Sequence, residues 1–236
     1  MKFASPLSRG LLVKRYKRFL ADIILDSGEE ITASCPNTGA MLGLSSPGTA
    51  VWVSHNDSPT RKYRHTLELV ESMHDGITTL VGINTGLPNR IVNEAIAGGT
   101  IPALAGYSTR RNEVKYGINS RIDILLEDPF KPVCYVEVKN VHLMRTHGLA
   151  EFPDSVTSRG AKHLAELKTM IEQGHRAVMV YVIQRPDAHH FSLASDIDPV
   201  YARGFESARK AGLEAIACRC SVSTTQICVD ALIEVI

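Results

Sequence analysis

The sequence predicts a two-domain α+β chain. A small OB-like β-barrel spans residues 1–84, and an α/β domain with a mixed central sheet flanked by helices spans residues 85–236. Three observations carry this reading. Up to Asn84 the pattern is short alternating apolar and polar residues broken by turn residues, with no long helical segment. Helical periodicity begins only after Asn84. The run Ala177–Ile183 is wholly apolar, as a strand covered on both faces requires.

The first unit reads as strands over Phe19–Leu25, Glu30–Ala33, Thr49–Ser54, His65–Met73 and Ile77–Ile83, with a turn at Asp26-Ser27-Gly28. Five or six short strands in so short a stretch suit a closed barrel, OB-like first and SH3-like second. In the second unit, Leu87–Ala97 has a helical period, with Pro88 in its first turn and Gly98-Gly99 as its stop. Strands follow at Asn112–Tyr116, Arg121–Leu126 and Val133–Lys139, then a long loop over Asn140–Asp154. A helix over Thr157–Gln173 carries Leu164, Leu167, Met170 and Ile171 on one face and stops at Gly174. Arg176–Ile183 is a strand. The tail adds a helix near Asp198–Ala211 and strands near Leu213–Cys220 and Ile227–Ile236.

At 236 residues and 44% hydrophobic content the chain has ample material for a core, which excludes wholesale disorder. A net charge of +1 excludes a histone-like polycation or an acidic tail protein. It leaves local basic patches open, and residues 1–18 hold six basic side chains and no acid. No apolar run reaches the length of a membrane-spanning helix, and the first residues lack the apolar centre of a secretory signal, so a cytoplasmic protein without membrane association is expected. The five cysteines fit buried free thiols. Cys218-x-Cys220 has no second Cys or His pair at zinc-ligand spacing.

Chemistry concentrates in Asp123 and, after thirteen intervening residues, in Glu137-Val138-Lys139. Residues i and i+2 of a strand share a face, so Glu137 and Lys139 project together. Ile122 and Ile124 flank Asp123, and Val136, Val138 and Val141 surround the other two. Charged groups among such neighbours need partners. A hairpin over Leu126–Pro132 brings Asp123 beside Glu137, and two converging carboxylates call for a hard divalent cation, Mg²⁺ or Mn²⁺. Lys139 can orient a water or neutralise phosphate charge, so the set suits metal-assisted phosphodiester hydrolysis. A solvated Glu137–Lys139 ion pair is the competing reading. Glu94, on the preceding helix, and Glu113, on the first strand, are additional candidate metal ligands, each equally readable as a surface carboxylate. At the start of the next helix Arg159 and Lys162 offer a phosphate site, and His163 reads either as a contact to the scissile phosphate or a nearby base or as a helix-surface histidine.

The barrel contributes cations interleaved with aromatics: Lys14, Arg15, Tyr16, Lys17 and Arg18 in one cluster, Arg61, Lys62 and Arg64 beside Tyr63 in a second. Cations that track phosphates and rings that stack on bases are the means by which OB-folds bind single strands. The partner expected is nucleic acid, most simply DNA. The oligomeric state stays open, a homodimer included.

The order helix, three strands, helix, strand, with Asp123, Glu137 and Lys139 at the signature positions, resembles the PD-(D/E)xK nuclease superfamily, although Ile122 stands where a proline is usual. The segments Ser120–Asp123, Val136–Val141, Glu151–Thr157 and Arg159–Leu164, with Cys35-Pro36-Asn37-Thr38-Gly39 and Asn84-Thr85-Gly86, resemble the sugar fermentation stimulation (SfsA) family over nearly the whole chain. That resemblance implies an N-terminal OB domain, a nuclease-like second domain, non-specific DNA binding and a regulatory role in sugar (maltose) metabolism. Two functions stand side by side: a DNA-binding regulatory protein on a nuclease scaffold, and an active Mg²⁺-dependent nuclease cleaving DNA or RNA. No Walker loop, dinucleotide fingerprint or nucleophile elbow supports a small-molecule enzyme.

Overall fold

The computed structural model describes residues 1–117 and 119–236. The first strands are β1 (Ser8–Tyr16), β2 (Leu20–Leu25), β3 (Glu30–Ser34), β4 (Ala50–His55), β5 (His65–His74) and β6 (Ile77–Gly82). Antiparallel pairings β2–β3, β1–β2, β1–β4 and β4–β5, with β3 parallel to β5 through Ala33↔His65, close a five-stranded OB barrel, and β6 extends it from β5. The one barrel strand the pattern does not separate is β1, because its inward residues are Gly10 and Leu12 while Leu11 and Val13 face solvent. Gly10 is required there: a Cβ would lie 2.6 Å from the Ile24 carbonyl oxygen. The barrel core is Leu12, Ile23, Val53, Leu67 and their neighbours.

The second unit begins with α1 (Pro88–Ala97), then β7 (Thr109–Tyr116), β8 (Ser120–Asp128) and β9 (Lys131–Val141). The expected loop after β9 instead holds two short strands, β10 (Leu143–Thr146) and β11 (Leu149–Phe152). They are followed by α2 (Ser158–Glu172), β12 (Arg176–Ile183), β13 (His190–Leu193), α3 (Pro199–Ala211), β14 (Glu214–Val222) and β15 (Ile227–Val235). They form a mixed sheet in the order β10-β11-β13-β15-β14-β12-β9-β8-β7. At its centre β12 runs parallel to β9 and β14, and its apolar run is buried throughout.

Both faces of this sheet are covered. Leu164, Leu167 and Met170 of α2 and Tyr201 and Phe205 of α3 pack on one face, against Met179, Tyr181 and Leu125. On the other face α1, through Ile91, Val92 and Ala95, and barrel residues Leu69, Trp52 and Leu80 pack against Val136, Val138, Val178 and Val180. Cys134, Cys218 and Cys220 lie in this second core as free buried thiols, with no zinc-ligand chemistry around them among the described residues. Burial pushes the Cys218 thiol up to about 12. Thr157 caps α2 by accepting the Gly160 N–H at 3.1 Å, and Asp198 caps α3 by accepting from Tyr201 N at 2.9 Å. The second oxygen of Asp198 takes the Thr157 N–H at 2.7 Å, so one buried carboxylate fixes the starts of both helices. No helix among the described residues is long and apolar enough to cross a membrane.

Candidate metal centre and nucleic-acid interface

The β8–β9 ladder runs Leu126↔Cys134, Leu125↔Tyr135, Ile124↔Val136, and the next step in that register sets Asp123 opposite Glu137. There the backbone ladder stops. The side chain of Asp123 replaces it: Oδ2 accepts the Val138 N–H at 2.7 Å and Oδ1 accepts from Asn89 Nδ2 of α1 at 2.9 Å. Glu137 is 2% exposed, on the face covered by α2. Its Oε1 accepts from Lys139 Nζ at 2.6 Å and from His163 Nδ1. Arg159 Nε donates to the other ring nitrogen of His163 at 3.3 Å, which puts the imidazole proton on Nδ1, facing Glu137. Glu137 Oε2 is buried with no hydrogen-bond partner among the described residues.

The two carboxyls respond oppositely to this arrangement. Burial, then the charge of Glu137, pushes Asp123 above the usual carboxylate range, against the opposing bonds from Val138 N and Asn89. Burial also works to raise Glu137, but the contacts from His163 and Lys139 outweigh it and hold the carboxyl low. Tyr116 is raised by burial and by the charges of Glu137, Glu166 and Asp123, and its hydroxyl has no partner among the described residues. The centre is therefore rich in negative charge, with a buried carboxylate oxygen unsatisfied.

These features fit a hard cation bound through one or two carboxylates that leave its other positions to water and substrate phosphate, the usual Mg²⁺ arrangement. Among the described residues no three His, Cys, Asp or Glu side chains stand at ligand spacing, so a closed all-protein cage is not what the site offers.

The remaining candidates fall differently. Glu113 interrupts β7 with φ 54°, between the pairs Asn112↔Ile124 and Val114↔Ile122, and its Oε1 lies 3.4 Å from Asn89 Nδ2, so it borders Asp123 at the open edge. Glu94 corrects the expectation of a ligand on α1. Its carboxylate takes Arg90 Nε at 3.0 Å and the Met1 ammonium at 2.7 Å. The residue that α1 turns toward Asp123 is Asn89, five positions earlier and on a different helix face. Glu166 carries no signal in the sequence that marks it. It lies three residues after His163 on α2, the spacing that keeps side chains on one helix face. Its carboxylate oxygens have no hydrogen-bond partner among the described residues, and Lys162 Nζ stands 3.7 Å away.

Arg159, Lys162 and His163 line an open hollow of about 360 Å³ with Arg121 and Glu113, at the mouth of the centre. In the barrel the first basic cluster is largely engaged. Arg15 donates to the carbonyls of Arg18, Asn37 and Gly39, each at 2.8 Å, and Arg18 donates to Thr38 at 2.7 Å. Arg15 braces the Asn37–Ala40 loop, which corrects its reading as a strand-binding cation, whereas Arg18 reaches that loop through Nε alone and stays exposed. Lys14 pairs with Asp22 at 3.4 Å and lies over the Tyr16 ring, whose hydroxyl also donates to Asp22. Lys17 is exposed in the turn that follows. Arg61, Lys62 and Arg64 are exposed on the β4–β5 loop, Arg61 with only a 3.4 Å contact to Thr66 Oγ1 and Lys62 over Tyr63.

A buried polar chain joins the barrel to the strand that carries Lys139. Asp154 Oδ2 accepts the Met41 N–H at 3.0 Å and meets His142 Nε2 at 3.2 Å. Asn140 Nδ2 meets the other nitrogen of His142 at 3.2 Å, and Asn140 Oδ1 accepts from Gln184, which also reaches the Asn84 carbonyl. Gly39 approaches Asp154 so closely that a Cβ would lie 2.5 Å from its Oδ2.

Comparison with known proteins decides the family. The profile of the "Sugar fermentation stimulation protein RE domain" matches residues 86–226, and that of the "SfsA N-terminal OB domain" matches residues 13–83. The chain belongs to the sugar fermentation stimulation (SfsA) family. The sugar fermentation stimulation protein homolog of Agrobacterium fabrum is 57% identical over 234 residues, covering 99% of this chain and 96% of the relative. That of Brucella ovis is 58% identical over 227 residues, covering 96% and 94%. Among solved structures, SfsA of Pyrococcus furiosus, described in complex with Ca²⁺, superposes with a TM-score of 0.87 at 25% identity, covering 100% of this chain and 98% of that one.

Proposed function

We propose that this SfsA-family protein binds DNA and, with a divalent cation at Asp123 and Glu137, hydrolyses its phosphodiester bonds. The observation that carries the reading is the buried, unpartnered Oε2 of Glu137 beside an Asp123 whose ionisation Glu137 opposes. Such a pair lacks positive charge at the point where oxygen ligands converge. The Ca²⁺ named with the Pyrococcus furiosus relative supports a hard-cation preference.

When bound, Mg²⁺ or Mn²⁺ would polarise the phosphoryl oxygens and acidify a water. The protein's own groups supply the rest. Asn89 and the Val138 N–H orient Asp123, and the Nδ1 proton of His163 keeps Glu137 ionised and fixed. Lys139, 14% exposed, presents its ammonium where it can hold a water or carry charge that develops on phosphate. Arg159 and Lys162 at the mouth bind neighbouring phosphates.

The test is a cleavage assay on labelled single-stranded, duplex and branched DNA and on RNA in Mg²⁺, Mn²⁺, Ca²⁺ or EDTA. Cleavage is expected in Mg²⁺ or Mn²⁺, with Lys139→Ala lowering it on the order of 10²-fold or more while binding persists. Binding without cleavage on every substrate would overturn the hydrolytic reading. One observation favours that second outcome, a regulatory DNA-binding scaffold in sugar metabolism: Glu137 Oε1 is already satisfied from within by Lys139 and His163.

A further inference from the structure

We infer that the seam between barrel and sheet holds a phosphate-binding cleft that feeds a single nucleic-acid strand to the Asp123–Glu137 centre. This rests on the nucleic-acid reading above. The cleft, about 260 Å³, is bordered by His55, Asn56 and Arg61 of the barrel, by Leu87 and Arg90 of the α1 start, and by Lys2, which pairs with Gln226 of the second domain. Cations from two domains therefore face one hollow. Cations arranged along such a seam can track the backbone of one strand.

Each acid nearby is held by other groups. Glu68 lines the same cleft but is 6% exposed, with its oxygens held by Ser54 Oγ and Asn84 Nδ2, each at 2.7 Å. Asp57 is spent on His55 Nε2 at 2.8 Å, while His55 Nδ1 faces His65. Glu94 engages Arg90 only through Nε, and the terminal guanidinium nitrogens of Arg90 make no hydrogen bond among the described residues. Arg61, Lys62 and Arg64 are exposed on the β4–β5 loop, whose Asn56 and Arg61 line the cleft.

Position links the cleft to the centre. Arg90 lines the cleft, and its neighbour Asn89, in the same turn of α1, holds Asp123. Arg90 shares its helix face with Glu94, so a strand leaving Arg61 and Arg90 for Asp123 would round this first turn to the Asn89 side.

The test is fluorescence anisotropy of a labelled oligothymidylate in EDTA across a KCl series, so that binding is read without the metal site. In Arg61→Gln/Arg90→Gln the affinity should fall about tenfold or more. The slope of log affinity against log salt should shrink by about 1.4, roughly 0.7 for each phosphate that the variant no longer neutralises. Lys210→Gln, on α3 against the opposite sheet face, should stay within about twofold of wild type. Melting curves establish that the double variant is folded; should it not be, either single variant should show about half the slope change.

Wild-type affinity and slope in the folded Arg variants would overturn the cleft and leave the nucleic-acid reading standing. A blunt duplex that competes as well as the single strand would overturn the single-strand assignment. A wild-type protein that binds no oligonucleotide would overturn both.

Discussion

Asp123 is held in a costly state. Its carboxylate is buried next to the charge of Glu137, and the bonds from Val138 N and Asn89 orient it without removing the repulsion. Asp123→Asn keeps an acceptor for the Val138 N–H and deletes the charge, so in EDTA at neutral pH the variant should melt about 2–4 °C higher, a gain on the order of 1 kcal/mol. The sign with pH follows from the raised folded-state pKa. The wild type takes up its proton above the ordinary Asp value, loses the penalty as pH falls through that range, and the difference from the variant closes. Thermal melts from neutral pH down to the acid range check both. A variant less stable than wild type at neutral pH would show that the repulsion is not what dominates at this residue. At this scale the sequence is most legible: charged residues among Ile and Val at Asp123, Glu137 and Lys139 announce partners. Glu94 misleads because a place on a helix in sequence carries no azimuth relative to the sheet, and Asn89, just over a turn earlier, has no charge to draw notice.

At the scale of elements, the strands and helices that carry the site follow from local rules. The apolar run of β12 is buried between β9 and β14, and α2 and α3 begin at Thr157 and Asp198, whose side chains accept from the first-turn N–H groups. What stays hidden needs partners distant in sequence. The short strands β10, β11 and β13 exist because they pair with one another and with β15, and four residues hold too little periodicity to show it. The break in the β8–β9 ladder is also invisible locally: a side chain, Asp123, replaces a backbone partner there. In the barrel, Arg15 reads as a surface cation on an exposed strand, yet it is the brace of the Asn37–Ala40 loop because three carbonyls converge on it after folding. Its two flanking cations, Lys14 and Lys17, make no such contacts.

Across the whole molecule, the barrel is fastened to the sheet at the end of the strand that bears Lys139. Asp154 is the joint, shared between the Met41 N–H of the barrel and His142 of the second domain. Burial works to raise its carboxyl, but the His142 contact and the Met41 N–H outweigh that and bring it down to about 2. A carboxyl lowered on folding contributes stability that is present above its unfolded value near 4 and is lost as pH falls toward 2. Asp154→Asn should therefore cost about 2 kcal/mol at neutral pH, and its deficit against wild type should vanish between about pH 4 and pH 2. Denaturant melts across that window check it, and a deficit independent of pH would contradict the assignment.

Divalent-cation binding by Asp123 and Glu137 together, as proposed, is tested by calorimetric titration of the apo protein with Ca²⁺, Mg²⁺ and Mn²⁺ at neutral pH. Saturable binding in the wild type that is lost in both Glu137→Gln and Asp123→Asn is the predicted result. A flat titration with all three ions, or binding retained in both variants, would contradict it.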